Sequence, residues 1–162
     1  MDLKAQVLGF MARKEEQLSD ELAQKYGVPL AEVADVVNSF LKDTYGPAIE
    51  QAQAIDRMGV GKMVLLFIGR KDCNICKRSE PILESFLSSH TDLQLVKLDY
   101  CQPSGLLYHM IHSQKNGMLP LIAFILNGAI KKIFTGECLQ MDVYDRYYNE
   151  MLAECSQNIY AH

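Results

Sequence analysis

The amino-acid sequence predicts an α/β protein in which a mixed β-sheet is flanked by helices and preceded by a helical extension. Apolar residues in the first part of the chain recur at helical spacing. From residue 59 onward, short apolar runs alternate with helical patterns in the order β-α-β-α-β-β-α, which requires both parallel and antiparallel strand neighbours. We therefore divide the chain into a helical N-terminal segment, residues 1–58, and an α/β domain, residues 59–162.

The composition is that of an ordinary globular protein. The chain has 162 residues, of which 49% are hydrophobic and 22% are charged, enough for one well-packed domain with a small extension. Its net charge of -4 gives no general reason to expect nucleic acid or an anionic membrane as partner. The N-terminus has neither a basic start nor an apolar signal core, and no apolar run is long enough to span a bilayer. We therefore expect a cytoplasmic protein with no membrane partner.

The helical segment begins with an amphipathic pattern over residues 3–11. Ser19-Asp20-Glu21 has the polar and acidic residues of a helix start, so the sequence predicts a new helix there. Gly27 followed by Pro29 predicts a stop and a restart, because glycine often ends helices and proline is tolerated near their first turn.

A further amphipathic helix is predicted over residues 30–43. Gly46-Pro47 predicts another break, since proline lacks the backbone N–H that a helix interior uses and restricts the residue before it. A last helix over residues 47–58 then leads to the α/β domain. Residues 22–33 also resemble a helix-turn-helix, with a glycine at the tight turn between the two helices.

We interpret this helix-turn-helix pattern as a packing unit. A DNA-reading helix needs basic surroundings, whereas Glu32 and Asp35 place acidic charge on the second helix. Amphipathic helices that precede a complete core must bury their apolar faces against something. We therefore expect the N-terminal helices to dock a partner or to form a homodimer, and nucleic acid is not expected as a partner.

The α/β domain is predicted from its apolar runs and turn signals. Met63–Ile68 is a continuous apolar run, typical of a strand that is buried on both faces. Asn127-Gly128 is a strong β-hairpin signal. The other predicted elements are a helix over 74–89, a strand over 93–98, a helix over 104–116, hairpin strands over 121–126 and 130–134, and a helix over 140–155.

The cysteines divide into one close pair and three scattered residues. Cys73 and Cys76 form a C-x-x-C motif, and the others are Cys101, Cys138 and Cys155. An odd number at irregular spacing, with no secretion signal, argues against a structural disulfide framework. We interpret the three scattered cysteines as small buried hydrophobic residues.

The position of the C-x-x-C motif has a chemical consequence. Cys73 lies five residues beyond the end of a predicted buried strand and opens a predicted helix. The unpaired N–H groups and the positive dipole at a helix N-terminus stabilise a thiolate. Cys76 lies one turn further along the helix, where it can attack a mixed disulfide that forms on Cys73.

Beyond this motif, residues 62–155 resemble the thioredoxin superfamily. Pro81 stands five residues after Cys76, similar to the proline that kinks the active-site helix of thioredoxins. The strand that contains Lys97 resembles their next strand, and Met118–Leu121 resembles the segment of their cis-proline. The resemblance implies a thioredoxin-like domain over 59–162, a cis bond before Pro120, and a Leu119 backbone that is available to pair with a substrate peptide.

The chain also departs from the thioredoxin pattern. Thioredoxins proper carry Trp-Cys-Gly-Pro-Cys, whereas this chain has Asp72-Cys73-Asn74-Ile75-Cys76 and no tryptophan. The buried aspartate that relays protons in thioredoxins aligns with Phe67, so Lys97 is expected to lack its usual partner. The departure implies another proton relay or a slower resolving step. A dedicated partner is therefore expected rather than a broad range of substrates.

The resemblance implies a thiol–disulfide oxidoreductase. Cys73 would attack a protein or small-molecule disulfide, and Cys76 would resolve the mixed disulfide. The supporting residues are expected to be Asp72, Asn74, Ile75 and Lys97, and neither an organic cofactor nor a metal is implied.

Two alternatives to the oxidoreductase stay open at this point. One is a non-catalytic module on the same scaffold, which senses redox state or binds a partner. The other is a structural zinc site in which His109 and His112, within the predicted helix over 104–116, complete the cysteine pair.

Overall fold

The computed structural model of the chain describes residues 1–58, 61–113 and 117–159, and it confirms the predicted fold class. A mixed sheet is flanked by helices and follows a helical extension. In chain order the elements are α1 (Leu3–Tyr26), α2 (Leu30–Asp56), β1 (Met63–Gly69), α3 (Asn74–Ser88), β2 (Leu93–Asp99), a 3-10 helix (Pro103–Leu106), α4 (Leu107–Ile111), β3 (Leu121–Leu126), β4 (Ala129–Thr135) and α5 (Met141–Ile159).

The strands of the sheet lie in the order β2-β1-β3-β4. Strand β1 is parallel to β2 and antiparallel to β3, while β3 and β4 form an antiparallel hairpin. Every residue of β1 and β3 is buried. The continuous apolar sequences of these two strands follow from their central position, because helices cover both faces of the sheet.

Two hydrophobic cores lie on opposite faces of the sheet, because successive side chains of a strand point to opposite sides. One core contains Val64 and Leu66 of β1 together with residues of α1, α2 and α4. The other contains Leu65 and Phe67 of β1 together with residues of α3 and α5. The helices of the N-terminal segment therefore cover one face of the sheet, and the helix that carries the cysteine pair covers the other.

The β3–β4 hairpin turns at Asn127 and Gly128, as the sequence predicts. Both residues have positive φ angles, 53° and 74°, as a type I′ turn requires. The N-terminus of the chain pairs with this hairpin: the Leu3 N–H donates to the Gly128 carbonyl (2.9 Å), and the Ile130 N–H donates to the Met1 carbonyl (2.6 Å). These bonds fix the start of α1 beside the sheet.

The helix start predicted at Ser19-Asp20-Glu21 is wrong, because α1 passes through these residues without a break. Leu18 and Leu22 lie on either side of the predicted start. Both pack against a cluster of α2 residues formed by Val33, Val37 and Leu41. Polar residues do not end a helix whose apolar stripe continues on both sides of them. The stop predicted at Gly27 is confirmed, since its φ of 63° ends α1 in the left-handed conformation.

The break predicted at Gly46-Pro47 is also wrong, because α2 continues through it. Pro47 removes one helical hydrogen bond, but Gly46 has no Cβ to clash with the proline ring. Packing holds the helix together on both sides of the proline. The first half packs against α1, and the second half buries Ala48, Ala52 and Ile55 against the sheet.

The helix predicted over 104–116 is shorter than expected. A 3-10 helix leads into α4, which ends at Ile111, and residues 114–116 lie outside the described residues. Gly105 of the 3-10 helix sits so close to the end of β2 that a Cβ would clash with the Asp99 carbonyl oxygen. The other predicted elements of the α/β domain agree with the structure to within a few residues. No helix in the described ranges has the length and apolar character needed to cross a membrane.

Candidate functional site

Cys73 and Cys76 lie at the N-terminus of α3, just beyond the end of β1. Cys73 is the N-cap residue of the helix, with φ and ψ of -87° and 111°, and its Sγ accepts a hydrogen bond from the Cys76 N–H at 3.1 Å. The two side chains form a disulfide, with their Cα atoms 5.2 Å apart. The strand-to-helix junction thus places Cys73 Sγ among the unpaired N–H groups of the first helical turn.

The two cysteines differ in their access to solvent. Cys76 is only 1% exposed and belongs to the core beneath α3, whereas Cys73 is half-buried. Gly69, the last residue of β1, lies close to this core: a Cβ there would lie 3.4 Å from Cys76 Sγ and 2.7 Å from the Phe67 ring. An incoming sulfur can therefore reach Cys73 but not Cys76.

Lys97 lies beside Phe67 rather than beside an aspartate, and its ammonium group pairs with a different carboxylate. Its Nζ lies 3.0 Å from the carboxylate of Glu80 and 5.8 Å from the centre of the Phe67 ring. Phe67, which aligns with the buried aspartate of thioredoxins, is fully buried. Glu80 follows Cys76 by four residues on α3, and residues at this spacing share one face of a helix. Sequence analysis missed Glu80, although this spacing was a signal that could have found it.

The segment before β3 is shaped by Pro120. The peptide bond between Leu119 and Pro120 is cis, and the Pro120 carbonyl accepts a hydrogen bond from the Gly136 N–H at 2.9 Å. Within the described ranges, neither backbone polar group of Leu119 has a hydrogen-bond partner. Leu119 is half-buried. Together with Cys73 it lines a surface cleft beside the N-terminus of α3.

The residues around the cysteine pair line this cleft too. Asp72 is exposed, and its carboxylate lies 2.6 Å from Nε of Arg70. Asn74 is exposed and Ile75 is half-buried at the start of α3. These residues form one wall of the cleft, whereas Lys97 is not among the residues that line it. Their supporting roles stay a prediction.

The opposite walls come from elements distant in the sequence. The cleft has a volume of about 1010 Å³. Helix α1 contributes one wall, and the region between β2 and β3 contributes another. The residues that sequence analysis did not place there include Phe10, Arg13, Lys14, Tyr45, Tyr100 and Tyr108.

Several solved structures with a similar fold are thioredoxins. The thioredoxin from Fasciola hepatica superposes with a TM-score of 0.50 at 14% identity, covering 60% of this chain and 88% of that chain. The thioredoxin NaTrxh from Nicotiana alata and the thioredoxin from Trypanosoma brucei brucei each give a TM-score of 0.50 at 15% identity, covering 62% of this chain and 84% of theirs. The chain has the thioredoxin fold. No protein-family model matches the chain, and no curated protein matches it.

Within this thioredoxin fold, aromatic and histidine side chains form a hydrogen-bonded wall opposite the cysteines. The Tyr100 hydroxyl lies 3.0 Å from Nε2 of His109, and the Tyr108 hydroxyl donates to the Met118 carbonyl at 3.1 Å. Burial lowers the pKa of His109, and the neighbouring Lys14 and His112 lower it further. Both effects favour the uncharged form of His109.

His109 and His112 line the cleft that Cys73 also lines. His109 lies within α4, and His112 is the residue that follows the helix. Across the part of the chain that the structure describes, no group of three or more His, Cys, Asp or Glu residues could hold a metal ion.

The three remaining cysteines are free thiols in different surroundings. Cys138 is buried in the core beneath α3, and Cys155 is half-buried against it. Cys101 is exposed just after β2, so its interpretation as a buried hydrophobic residue is wrong. Its backbone N–H donates to the Asp99 carboxylate at 2.9 Å, which turns the chain outward at the end of the strand.

Proposed function

We propose that the protein is a thiol–disulfide oxidoreductase. One observation carries the proposal: Cys73 caps the N-terminus of α3 at the edge of a cleft and is disulfide-bonded to the buried Cys76. Helix N-terminal N–H groups stabilise the thiolate that attacks a disulfide. The thioredoxin fold supports the same chemistry and implies disulfide or dithiol partners.

The proposed reaction begins with the reduced protein. The Cys73 thiolate attacks one sulfur of a substrate disulfide, so that a new S–S bond forms and the substrate S–S bond breaks. The displaced substrate sulfur leaves as a thiolate and takes a proton from solvent. Cys76 then loses its proton and attacks Cys73 Sγ, which releases the second substrate thiolate and leaves the Cys73–Cys76 disulfide. Two electrons pass to the substrate, and another dithiol protein or a small thiol returns them.

Leu119 and Pro120 are proposed to hold the substrate backbone. The N–H and C=O groups of Leu119 form no hydrogen bond within the described ranges, and they lie beside the cleft that contains Cys73. An extended substrate segment would satisfy them as an added strand does. Asp72, Asn74 and Ile75 would border the reacting disulfide on the other side.

The other cysteines support a location in a reducing compartment such as the cytoplasm. Cys101, Cys138 and Cys155 are free thiols, which is typical of proteins that are kept reduced. Docking of a partner or a second copy through the N-terminal helices stays a prediction.

One observation favours a non-catalytic redox module as a second candidate. Phe67 is fully buried and shares a core with Cys76, so it offers no group that could take the proton of Cys76. If resolution by Cys76 is slow, the mixed disulfide between Cys73 and the partner persists, as expected of a redox-dependent binding module rather than of a catalyst.

Reduction of a protein disulfide such as that of insulin distinguishes the two candidates. The oxidoreductase is expected to accelerate reduction by a small thiol, and Cys73→Ser is expected to abolish the acceleration. Cys76→Ser should instead trap a mixed disulfide on Cys73, visible as a reducible mass increase. Equal rates for the wild type and Cys73→Ser with every reductant would contradict the catalytic proposal.

A further inference from the structure

The charge of the cleft beside Cys73 is set by helix α1. Arg13 and Lys14 both line the cleft, and neither forms an ion pair with an acidic residue of the described chain. Arg70 also lines it but is paired with Asp72, the single acidic side chain among the lining residues. The cleft therefore has two uncompensated positive charges in a protein whose net charge is -4.

Aromatic side chains form much of the walls of the same cleft. Phe10, Tyr45, Tyr100 and Tyr108 line it, and Lys14 Nζ lies 5.8 Å from the centre of the Phe10 ring. Phe10 and Tyr45 pack edge to face with centroids 5.2 Å apart, which joins α1 to α2 at this wall. Rigid aromatic surface with a few placed charges is typical of recognition sites.

We propose that this cleft recognises an acidic polypeptide segment next to the disulfide of a protein substrate. The inference rests on the proposed function and names the substrate class of the same site. Asp or Glu side chains of the segment would pair with Arg13 and Lys14, while its backbone would pair with Leu119. The role of α1 would thus be to select substrates.

A polypeptide fits the cleft better than a small disulfide. The volume of about 1010 Å³ lies at the upper limit of ordinary small-molecule sites, which reach about 1,000 Å³. The N–H and C=O groups of Leu119, which have no hydrogen-bond partner within the described ranges, suit a peptide backbone as partner. Because Cys73 and both basic residues line one continuous cleft, the acidic side chains would lie within a few residues of the substrate cysteine.

Two matched peptides test the proposal. Each carries one cysteine as a mixed disulfide with a neutral chromophoric thiol, flanked by glutamates in one peptide and by glutamines in the other. The full chain with Cys76→Ser, reduced beforehand, attacks the peptide through Cys73, and release of the chromophore gives the rate. A Cys73→Ser/Cys76→Ser chain measures the background from other thiols, including the exposed Cys101.

We expect the glutamate peptide to react about tenfold faster at low salt, because complementary charge accelerates association. High salt should reduce the ratio of the glutamate-peptide rate to the glutamine-peptide rate, since exposed charges are screened. Arg13→Gln/Lys14→Gln should bring the ratio to within about twofold of unity. The control Lys4→Gln/Lys25→Gln removes the same charge from exposed positions of α1 outside the cleft and should keep the ratio.

The ratio of the two rates is the readout, because a change in Cys73 reactivity would affect both peptides equally. Equal rates for both peptides, each above the background, would overturn the cleft proposal and leave the oxidoreductase proposal intact. If neither peptide reacts faster than the background, the oxidoreductase proposal is overturned instead. If the mixed disulfide of glutathione with the same chromophoric thiol reacts faster than both peptides, a small acidic disulfide is the substrate and the polypeptide assignment is overturned.

Discussion

At the scale of single residues, the ion pair between Glu80 and Lys97 bears most directly on the second chemical step. In the proposed reaction, Cys76 must lose a proton before it attacks the mixed disulfide, and the neighbouring Phe67 cannot accept one. Glu80 lies one helical turn from Cys76 and is held by Lys97 at 3.0 Å. We therefore predict that its carboxylate receives that proton, directly or through water.

We expect Glu80→Gln to slow resolution of the mixed disulfide by about tenfold near neutral pH. The difference in resolution rate between the wild type and Glu80→Gln should be smaller in alkaline buffer, because hydroxide then removes the Cys76 proton. Attack by Cys73 on the substrate should keep its rate. Rapid acid quenching of a single turnover, followed by separation of the mixed disulfide, measures the two steps independently.

Glu137→Gln is a matched control for this substitution. Glu137 also forms an ion pair, at 2.9 Å from Arg78, and its side chain is 34% exposed, as is that of Glu80. If both substitutions leave resolution unchanged, the Glu80–Lys97 pair is only a surface ion pair, and such pairs contribute little to stability.

At the scale of elements, α2 shows how packing overrides a local signal. Pro47 lies inside the helix, where it removes one hydrogen bond. We expect Pro47→Ala to raise the free energy of unfolding by about 1 kcal/mol, because alanine restores that bond and favours the helix. Urea unfolding followed by circular dichroism measures the change. Destabilisation would mean that the proline shapes the helix so that Ala48 and Ile55 reach the sheet.

The two helix breaks also show which features could be predicted from the sequence: those encoded locally, and not those set by contacts between distant elements. Patterns of a few neighbouring residues were enough for the cysteine pair at a helix start and for the turn at Asn127-Gly128. The segment around Pro120 was instead predicted from the resemblance to thioredoxins. The helix breaks predicted at Ser19 and Gly46 were wrong, because contacts between α1, α2 and the sheet keep both helices continuous at these positions.

The cleft could not be predicted for a related reason. Its basic wall belongs to α1, whereas Cys73 belongs to α3, and no pattern in the sequence joins them. Arg13 and Lys14 look like ordinary solvent-facing residues of an amphipathic helix. Only the packing of α1 against the sheet and α4 places them beside the cysteine pair.

At the scale of the whole molecule, the helical extension shares a core with the sheet. Leu3 of α1 and Ile55 of α2 are almost fully buried in the same cluster as Leu66 of β1 and Ile125 of β3. Elements that share one core are expected to unfold together. We therefore predict a single cooperative transition for the full chain, although residues 1–58 and 59–162 were separated by sequence pattern.

Leu3→Ala tests this coupling. The substitution should lower the free energy of unfolding of the whole chain by about 2–4 kcal/mol, because it opens a cavity where α1 meets the sheet. Leu8→Ala is the control, since Leu8 is 59% exposed on the same helix and should change stability by less than about 0.5 kcal/mol. Far-ultraviolet circular dichroism reports on the helices, and near-ultraviolet signals from buried tyrosines such as Tyr144 report on the opposite core. If Leu3→Ala shifts only the helical signal, α1 unfolds independently of the sheet, and the wall that carries Arg13 and Lys14 would open without loss of the disulfide site.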